Sequence, residues 1–490
     1  MTRHAASFPV AGWVKHYNKQ SFLSDLIAAV IVAIMLIPQS LAYAMLAGLP
    51  PEVCLYASIA PLIAYALLGT SSTLSVGPVA ITSLMTGAAL AEVAQQGTAD
   101  YLTGAITLAA LSGIMLLGFG LLRLGFLANF LSHTVVSAFI TASALIIALS
   151  QVRHVLGIEA EGDNLFELVH AIGIQSNDAN LYTLLIGLTT LTFLFAVRSW
   201  GVGVLRKAGL SARTAELAAK SAPVIGVIAS ILVTFRFELA DRGVAIVGEI
   251  PTGLPMLAVP TFSLELVEML LIPAALISII GYVESISVGR TLGAHRQERV
   301  DSNRELVGLG AANLSSAFSG ALPVTGGFSR SFVNFDAGAV TQGASIYTAI
   351  LIALVSLLLT PALYFLPKAT LAATIIVAVL SLVDLSIIRK TWRYSRSDSL
   401  ALLITICATL GFGVETGVSC GVVTSLALHL YRTSRPHIAE VGLVEGTEHF
   451  RNVRRYEVKT VPEILTLRVD ESLFFANASF LEDEIYMKLT

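Results

Sequence analysis

Long apolar segments alternate with short polar connections from residue 26 to residue 431. Each segment holds about 20 mainly apolar residues, the length at which an α-helix crosses the hydrocarbon core of a bilayer. We count about fourteen segments, beginning near residues 25, 52, 76, 102, 126, 181, 218, 266, 304, 327, 341, 368, 399 and 415. The pattern predicts an all-α polytopic membrane protein with fourteen transmembrane segments, numbered here as spans one to fourteen.

Basic residues concentrate in alternate connections between these spans. Span six is followed by Arg198, Arg206, Lys207, Arg213 and Lys220. Span eight is followed by Arg290, Arg296, Arg299 and Arg304, and span twelve by Arg389, Lys390, Arg393 and Arg396. The connection 159–178 is mostly acidic, and 48–52 carries no base. Because basic connections stay in the cytoplasm, these loops and both termini are expected there.

Composition and motifs exclude several functional classes. Of 490 residues, 55% are hydrophobic and 13% are charged, against about a quarter charged in soluble domains. The net charge of −3 gives no sign of nucleic-acid binding. The three cysteines and the histidines lack metal-ligand spacing, and no catalytic nucleophile with its base is evident. We therefore expect no enzyme, catalytic residue, metal or cofactor.

Two spans open with unusual sequences. Span three begins STLSVGPVAITSL and span ten begins PVTGGFSRSF, with Gly and small hydroxyl residues where a span is normally aliphatic. Each predicts an extended lead-in followed by a short helix. Since each is the third span of seven, we expect two inverted repeats, 25–236 and 264–432. Paired Gly/Pro interruptions at corresponding places indicate a transporter site near the bilayer midplane.

These interruptions suit an anion. A helix that begins inside the membrane leaves its first N–H groups unpartnered, and its dipole is positive there. The alignment of the two segments sets Val79 and Ala80 against Phe328 and Ser329, while Gly77, Gly326 and Gly327 allow close backbone approach. Arg330 adds a full charge with planar donors. The alternative is that the glycines only kink helices and that Arg330 snorkels or pairs with a neighbour.

Other polar groups lie within apolar spans. Glu284, in ISIIGYVESISVGRTLG, is able to exchange a proton during transport; the alternative is a structural partner for Arg330 or for a helix end. In LIPQSLAYAMLAG, Pro38 is expected to interrupt the helix. Gln39 and Tyr43, four residues apart, share a face and either line the pocket or pack helices together.

Two long runs resemble a known family. They are PQSLAYAMLAGLPPEVCLYASIAPLIAYALLGTSSTLSVGPVAITSLM and NRELVGLGAANLSSAFSGALPVTGGFSRSFVN, and they are similar to the sulfate permease (SulP) family of anion transporters, which includes prestin. The resemblance covers residues 25–432. It implies the seven-plus-seven fold of uracil permease, with spans one to four and eight to eleven as a core domain and the others as a gate domain. It also implies a homodimer in a bacterial inner (plasma) membrane.

The resemblance also implies roles for individual residues. Glu284 matches an acidic position linked to proton or sodium coupling. The substrate is expected between the starts of half-helices three and ten, and the full set of expected substrate-binding residues is Gln39, Tyr43, Gly77, Val79, Ala80, Gly327, Phe328, Ser329 and Arg330.

The remaining segments complete the expected domain plan. Residues 1–24 are expected to be cytoplasmic, 25–432 to form the transport domain, 433–462 to be a linker, and 463–490 to be an incomplete STAS domain. Within that last segment we expect strands at 464–469 and 473–475 and a helix starting near Ala478.

The expected function is proton-coupled symport of a mono- or dianion by alternating access. Sulfate, bicarbonate and dicarboxylates such as fumarate are candidates, and the apolar side chains of Tyr43, Val79 and Phe328 slightly favour an organic carboxylate. The alternative is an uncoupled, channel-like conductor or an exchanger of the prestin type. A nucleobase permease shares the fold, but Arg330 favours an anion.

Overall fold

The computed structural model describes residues 9–129, 133–160, 162 and 164–489, and most of these are helical. Within this part of the chain, six helical segments are long and apolar enough to cross a bilayer, or seven if the bent pair Thr214–Lys220 and Ala222–Arg236 is one span. A polytopic helical membrane protein is therefore confirmed. The number fourteen stays a prediction, because several expected spans are shorter helices, among them Ala80–Ala91, Gly343–Leu358 and Lys368–Leu380.

The first half of the described chain contains twelve α-helices. They are α1 Pro9–Val14, α2 Lys19–Leu46, α3 Pro51–Tyr56, α4 Ala60–Leu68, α5 Ala80–Ala91, α6 Ala99–Leu121, α7 His133–Leu156, α8 Leu165–Gln175, α9 Leu181–Ala196, α10 Val202–Lys207, α11 Ala212–Lys220 and α12 Ala222–Arg236. A π-helical turn, Val197–Gly201, joins α9 to α10, and short 3-10 helices lie at Leu124–Asn129, Ser176–Asp178 and Ala240–Arg242.

The second half holds nine more α-helices and most of the strands. The helices are α13 Leu264–Arg296, α14 Ser302–Phe318, α15 Phe328–Asp336, α16 Gly343–Leu358, α17 Lys368–Leu380, α18 Ser386–Tyr394, α19 Arg396–Phe412, α20 Val414–Ser434 and α21 Ala478–Leu489, with a 3-10 helix at Thr360–Leu363. The strands are β1 Val76–Gly77, β2 Thr325–Gly326, β3 Ile438–Leu443, β4 Phe450–Asn452 and β5 Leu467–Val469.

The membrane helices pack in two groups. In the first, α14 packs along α6 and α4, α16 packs against α2 and α4, and α13 packs against α6. In the second, α7 contacts α9, α17, α19 and α20. The two groups meet where α17 and α12 contact α2 and where α5 contacts α7.

Glycines bring α6 and α14 into backbone contact. A Cβ atom on Gly113 would lie 2.8 Å from the backbone nitrogen of Leu314, and one on Gly310 would lie 2.7 Å from that of Leu117. Membrane helices gain little from burying apolar surface against each other, so close packing of small residues is a main source of their association. The two glycines therefore allow the tight contact at the centre of the first group.

Two buried carboxylates fix connections near the interrupted segments. Glu305 on α14 accepts hydrogen bonds from the Tyr65 hydroxyl (2.7 Å) and from the N–H groups of Thr70 (2.7 Å) and Ser71 (3.1 Å). Asp25 on α2 accepts from the N–H groups of Val340 (2.6 Å) and Thr341 (3.0 Å). Both side chains are fully buried, and their bonds to the four N–H groups satisfy backbone donors of these connections.

The C-terminal segment differs in part from its prediction. The helix expected near Ala478 is confirmed as α21. Of the two expected strands, the first is shortened to β5, and residues 473–475 are not a strand. The expected linker 433–462 contains β3 and β4, and all three strands form an antiparallel sheet in the order β4-β3-β5. Strand β3 pairs with β4 and β5, which lie elsewhere along the chain, so the local pattern of apolar and polar residues did not predict it. The STAS assignment stays a prediction.

Candidate functional site

The two interrupted spans meet as a small antiparallel pair of strands. Val76 pairs with Gly326 and Gly77 pairs with Thr325. Helix α5 begins three residues after β1, and α15 begins two residues after β2. The predicted extended lead-ins and short helices are therefore confirmed. Pairing the strands satisfies backbone groups that neither segment satisfies alone inside a membrane.

Polar side chains from neighbouring helices complete the hydrogen bonding of β2. The Gly326 N–H donates to the Ser285 hydroxyl oxygen (2.8 Å). Asn313 pairs with both backbone groups of Val324, donating to its carbonyl (2.8 Å) and accepting from its N–H (2.9 Å). Neither Ser285 nor Asn313 was predicted from the sequence. Each is a polar side chain inside an apolar span, and burying such a group costs free energy unless it forms a hydrogen bond. That cost could have indicated a buried partner for each residue.

The helices that follow the strands have no side-chain caps at their first turns. Val79 precedes α5 and Gly327 precedes α15, both in extended conformation, and neither position supplies a capping hydrogen bond. The first N–H groups of a helix have no intrahelical partner, and the helix dipole places about half a positive charge there. Both helix starts therefore favour a negatively charged group nearby.

A small cavity lies beside the two helix starts. Its lining consists of Gln39, Tyr43, Val79, Ala80, Ile81, Glu284, Gly327, Phe328, Ser329, Arg330, Ala378, Val379 and Leu382. Its volume is about 40 Å³. One water needs roughly 10–15 Å³ on this measure, so the space suits about three waters or one compact ion.

The structure gathers most of the predicted site residues around this cavity. Apart from Gly77, every predicted substrate-binding residue lines it, and so does Glu284. Gly77 lies directly behind Arg330, since a Cβ atom there would approach Nη1 to 2.6 Å. Ala378 and Val379, on α17, were not predicted, because an ordinary apolar helix gives no sign of facing a site. The binding roles of these residues stay predictions.

Arg330 is the dominant charge of the cavity. Its side chain is only 2% exposed. In the described part of the chain, its terminal nitrogens Nη1 and Nη2 are buried without a hydrogen-bond partner. A buried ionised group without partners is strongly unfavourable. The guanidinium therefore lacks an acceptor that a bound anion would supply.

Glu284 faces the same cavity from α13. Its Oε2 atom is buried and, among the residues described, has no hydrogen-bond partner. The ion pairs found in that part of the chain do not include one between Glu284 and Arg330. The next residue, Ser285, accepts a hydrogen bond from the Gly326 N–H of β2. The same turn of α13 therefore contacts the strand and places a carboxyl group at the cavity.

Gln39 and Tyr43 reach the cavity from α2, 6% and 8% exposed. The prediction that Pro38 interrupts this helix was wrong, because α2 continues through it from Lys19 to Leu46. Membrane helices tolerate proline when nearby groups compensate for the missing N–H donor. Gln39 and Tyr43 thus remain one turn apart on a continuous face.

Comparison with known proteins identifies the family. Residues 22–405 match the model of the sulfate permease family. The chain is 37% identical to "Sulfate transporter 4.1, chloroplastic" of Arabidopsis thaliana, over 98% of this chain and 69% of that protein. It is 35% identical to a probable sulfate transporter of Mycobacterium tuberculosis, over 96% of this chain and 82% of that protein.

Solved structures share the fold. The murine anion transporter Slc26a9 in its inward-facing state matches with a TM-score of 0.88 and 24% identity, over all of this chain and 83% of that one. The transmembrane domain of the cyanobacterial bicarbonate transporter BicA matches with a TM-score of 0.69 and 20% identity, over 84% of this chain and 98% of that one. The family match and the named relatives confirm the resemblance seen in the sequence and the expectation of a transporter rather than an enzyme. The chain belongs to the sulfate permease family and is a multi-pass membrane transporter of anions.

Proposed function

We propose that this protein is a secondary transporter that moves sulfate across the plasma membrane by alternating access. One observation carries the proposal: Arg330 is buried beside two helix starts with both terminal nitrogens unpartnered among the described residues. An oxyanion supplies acceptors for a planar guanidinium and negative charge for both helix dipoles.

The proposed substrate is sulfate for two reasons. Relatives that align with nearly all of this chain are named sulfate transporters. The cavity, at about 40 Å³, suits a compact inorganic anion better than a four-carbon dicarboxylate, since it matches only about three waters. We therefore prefer sulfate to the organic carboxylate that the apolar lining suggested.

The proposed movement is between the two groups of helices. We assign α2 to α6 and α13 to α16 to a core domain, and α7, α9, α12, α17, α19 and α20 to a gate domain. The packing of the helices supports this division. The cavity supports it too, because residues of α2, α5, α13 and α15 line it together with residues of α17. A shift between the groups would expose the anion to alternate sides of the membrane.

We propose further that both termini are cytoplasmic and that the protein is a homodimer. The arginine-rich junction of α13 and α14 supports this orientation: Arg290 and Arg296 lie in the last two turns of α13, Arg299 lies in the short connection, and Arg304 lies in the first turn of α14.

Substitution of Arg330 tests the site. Charge-assisted hydrogen bonds contribute about 1.5–3 kcal/mol each, so Arg330→Ala, which loses two, should reduce sulfate uptake by roughly 100-fold or more. The measurement is initial uptake of labelled sulfate by the purified protein in proteoliposomes, over a range of sulfate concentrations.

Arg304→Ala is the matched control, because this exposed arginine lies outside the cavity and should leave uptake unchanged. Arg330→Lys keeps the charge without the planar fork and should be intermediate. Wild-type uptake by correctly folded Arg330→Ala would reject the site.

We propose that Glu284 carries a proton together with the anion. The support is its unpartnered Oε2 in the same cavity. With a proton on Glu284, the positive charge of Arg330 is not offset by a neighbouring carboxylate, so anion and proton favour each other's binding.

Glu284→Gln should remove the dependence of sulfate accumulation on a proton gradient, because the amide mimics the protonated acid and cannot release the proton. The measurement is uptake with an imposed inward proton gradient and with the membrane potential fixed by valinomycin and potassium. Glu268→Gln, on the same helix but exposed, should stay proton-driven. Unchanged proton-driven accumulation by Glu284→Gln, or accumulation that follows a sodium gradient instead, would refute this role.

A further inference from the structure

The short helix α18, between α17 and α19, has two unlike faces. On one face Ile387 and Thr391 are buried, and Ile387 packs with Ala138 of α7 and Leu402 of α19. The opposite face forms a shallow, open surface groove, lined by Leu385, Ile388, Arg389, Trp392 and Arg393. These positions follow the i, i+3, i+4, i+7, i+8 spacing of one helix face.

This groove combines exposed apolar side chains with unpaired positive charge. Leu385 and Trp392 are each 62% exposed. No ion pair in the described part of the chain includes Arg389 or Arg393. The acids nearest to them in sequence have other partners: Asp384 accepts hydrogen bonds from the N–H (3.0 Å) and hydroxyl (2.5 Å) of Ser386, and Asp398 pairs with Arg432 (3.2 Å).

The position of α18 places this groove at the membrane surface. The helix follows directly from the apolar helix α17 and leads directly into α19. It carries Arg389, Lys390 and Arg393, with Arg396 next. With the orientation proposed above, it lies at the cytoplasmic leaflet, where anionic lipids concentrate. Tryptophan favours the boundary between headgroups and acyl chains, and arginine extends from apolar surroundings toward phosphate.

We propose that the groove of α18 binds an anionic phospholipid of the cytoplasmic leaflet. Arg389 and Arg393, one turn apart, hold the headgroup phosphate, while the glycerol region and acyl chains lie over Leu385, Ile388 and Trp392. Since the other face of α18 packs on α7 and α19, the lipid ties that group of helices to the bilayer surface.

Fluorescence quenching in vesicles tests this binding on the full chain. The chain has three tryptophans. The fluorescence of Trp392 is therefore obtained by subtracting the emission spectrum of Trp392→Phe from that of the wild type. The probes are phosphatidylcholine vesicles that contain increasing fractions of brominated phosphatidylglycerol or, in a parallel series, brominated phosphatidylcholine. We expect Trp392 to be quenched at a much lower fraction of the anionic lipid.

Substitution of the arginines should remove this preference. Each basic residue near an anionic surface strengthens binding about fivefold, so Arg389→Gln with Arg393→Gln should weaken the preference by roughly 25-fold. The conservative pair Arg389→Lys with Arg393→Lys should keep most of it. Lys390→Gln with Arg396→Gln removes the same charge outside the groove and should reduce the preference clearly less than substitution of Arg389 and Arg393.

Three results would overturn the proposal. One is an unchanged preference after substitution of Arg389 and Arg393. Another is an equal loss in the Lys390 and Arg396 control, which would indicate diffuse attraction in place of a site. The third is a Trp392 that neither lipid quenches, which would show the groove covered by another segment or a second copy. The readout is independent of transport, so it stands apart from the sulfate assignment.

Discussion

Arg330 occupies space that two glycines leave free. A Cβ atom on Gly77 would lie 2.6 Å from Nη1, and one on Gly327 would lie 2.9 Å from both Nε and Nη2. Such distances are below any normal contact. The backbone of both interrupted segments thus determines where the guanidinium lies, and an anion meets a charge that is already positioned.

Gly77→Ala should therefore weaken sulfate binding with little effect on folding. The added methyl group displaces the end of a flexible side chain, so the cost to stability is small, while at least one charge-assisted hydrogen bond to the anion is misplaced. At about 1.5–3 kcal/mol per bond, the apparent KM for sulfate uptake should rise roughly 10- to 100-fold.

Uptake kinetics and thermal unfolding measure these two effects separately. Gly118→Ala is the control, because a Cβ atom at that helical position meets nothing within 4 Å. An unchanged KM in Gly77→Ala would show that the position of Arg330 is not set by this glycine.

The site residues that could be predicted from the sequence were mainly charged residues and glycines inside apolar spans. Arg330 and Glu284 stand out because ionisable groups are rare in apolar spans. Ser285 bonds to β2 and Asn313 bonds to Val324, just before it, yet single serines and asparagines in membrane helices have many possible partners. Val379 gave no signal, since its contact with the cavity depends on how α17 packs.

At the scale of elements, interruptions of the apolar spans by Gly and Pro predicted local structure better than the regular apolar pattern did. Gly and Pro correctly marked the extended segments that became β1 and β2. At Pro38 the same signal was misleading, since α2 continues through the proline. Strand β3 gave no such signal, because a six-residue strand is defined by its partners β4 and β5 and not by local composition.

At the scale of the whole molecule, an ion pair joins α15, in the proposed core domain, to α11, the helix that leads into α12 of the proposed gate domain. Lys220, at the end of α11, lies 2.6 Å from Asp336, at the end of α15. Helix α15 begins beside the cavity and carries Arg330. Both partners are partly exposed, at 31% and 43%, so the pair adds little stability. We expect a larger effect on the equilibrium between two conformations of the transporter, one in which this ion pair is formed and one in which it is broken.

Removal of this pair should shift that equilibrium without unfolding the protein. A surface pair contributes at most about 1 kcal/mol, so Lys220→Ala should change the ratio of apparent sulfate affinities on the two sides of the membrane by up to roughly fivefold. The measurement is uptake into, and efflux from, vesicles with one protein orientation.

The charge exchange Lys220→Asp with Asp336→Lys should restore the wild-type ratio. Asp398→Asn breaks the pair with Arg432 (3.2 Å), which lies within one group, and should leave the ratio unchanged. If the exchanged pair behaves like the single variant, the contact does not control the movement.

The pairing of β1 with β2 also bears on how the protein is made. Val76 and Gly326 are 250 residues apart, and a ribosome adds about 5–20 residues per second, so the second strand emerges on the order of 10–50 s after the first. Until then the N–H and C=O groups of β1 lack their partner strand, and in lipid each unsatisfied group costs several kcal/mol. We therefore expect this segment of the nascent first half to stay hydrated or in contact with the insertion machinery, and we expect chains that stop before residue 325 to be recognised by membrane quality control.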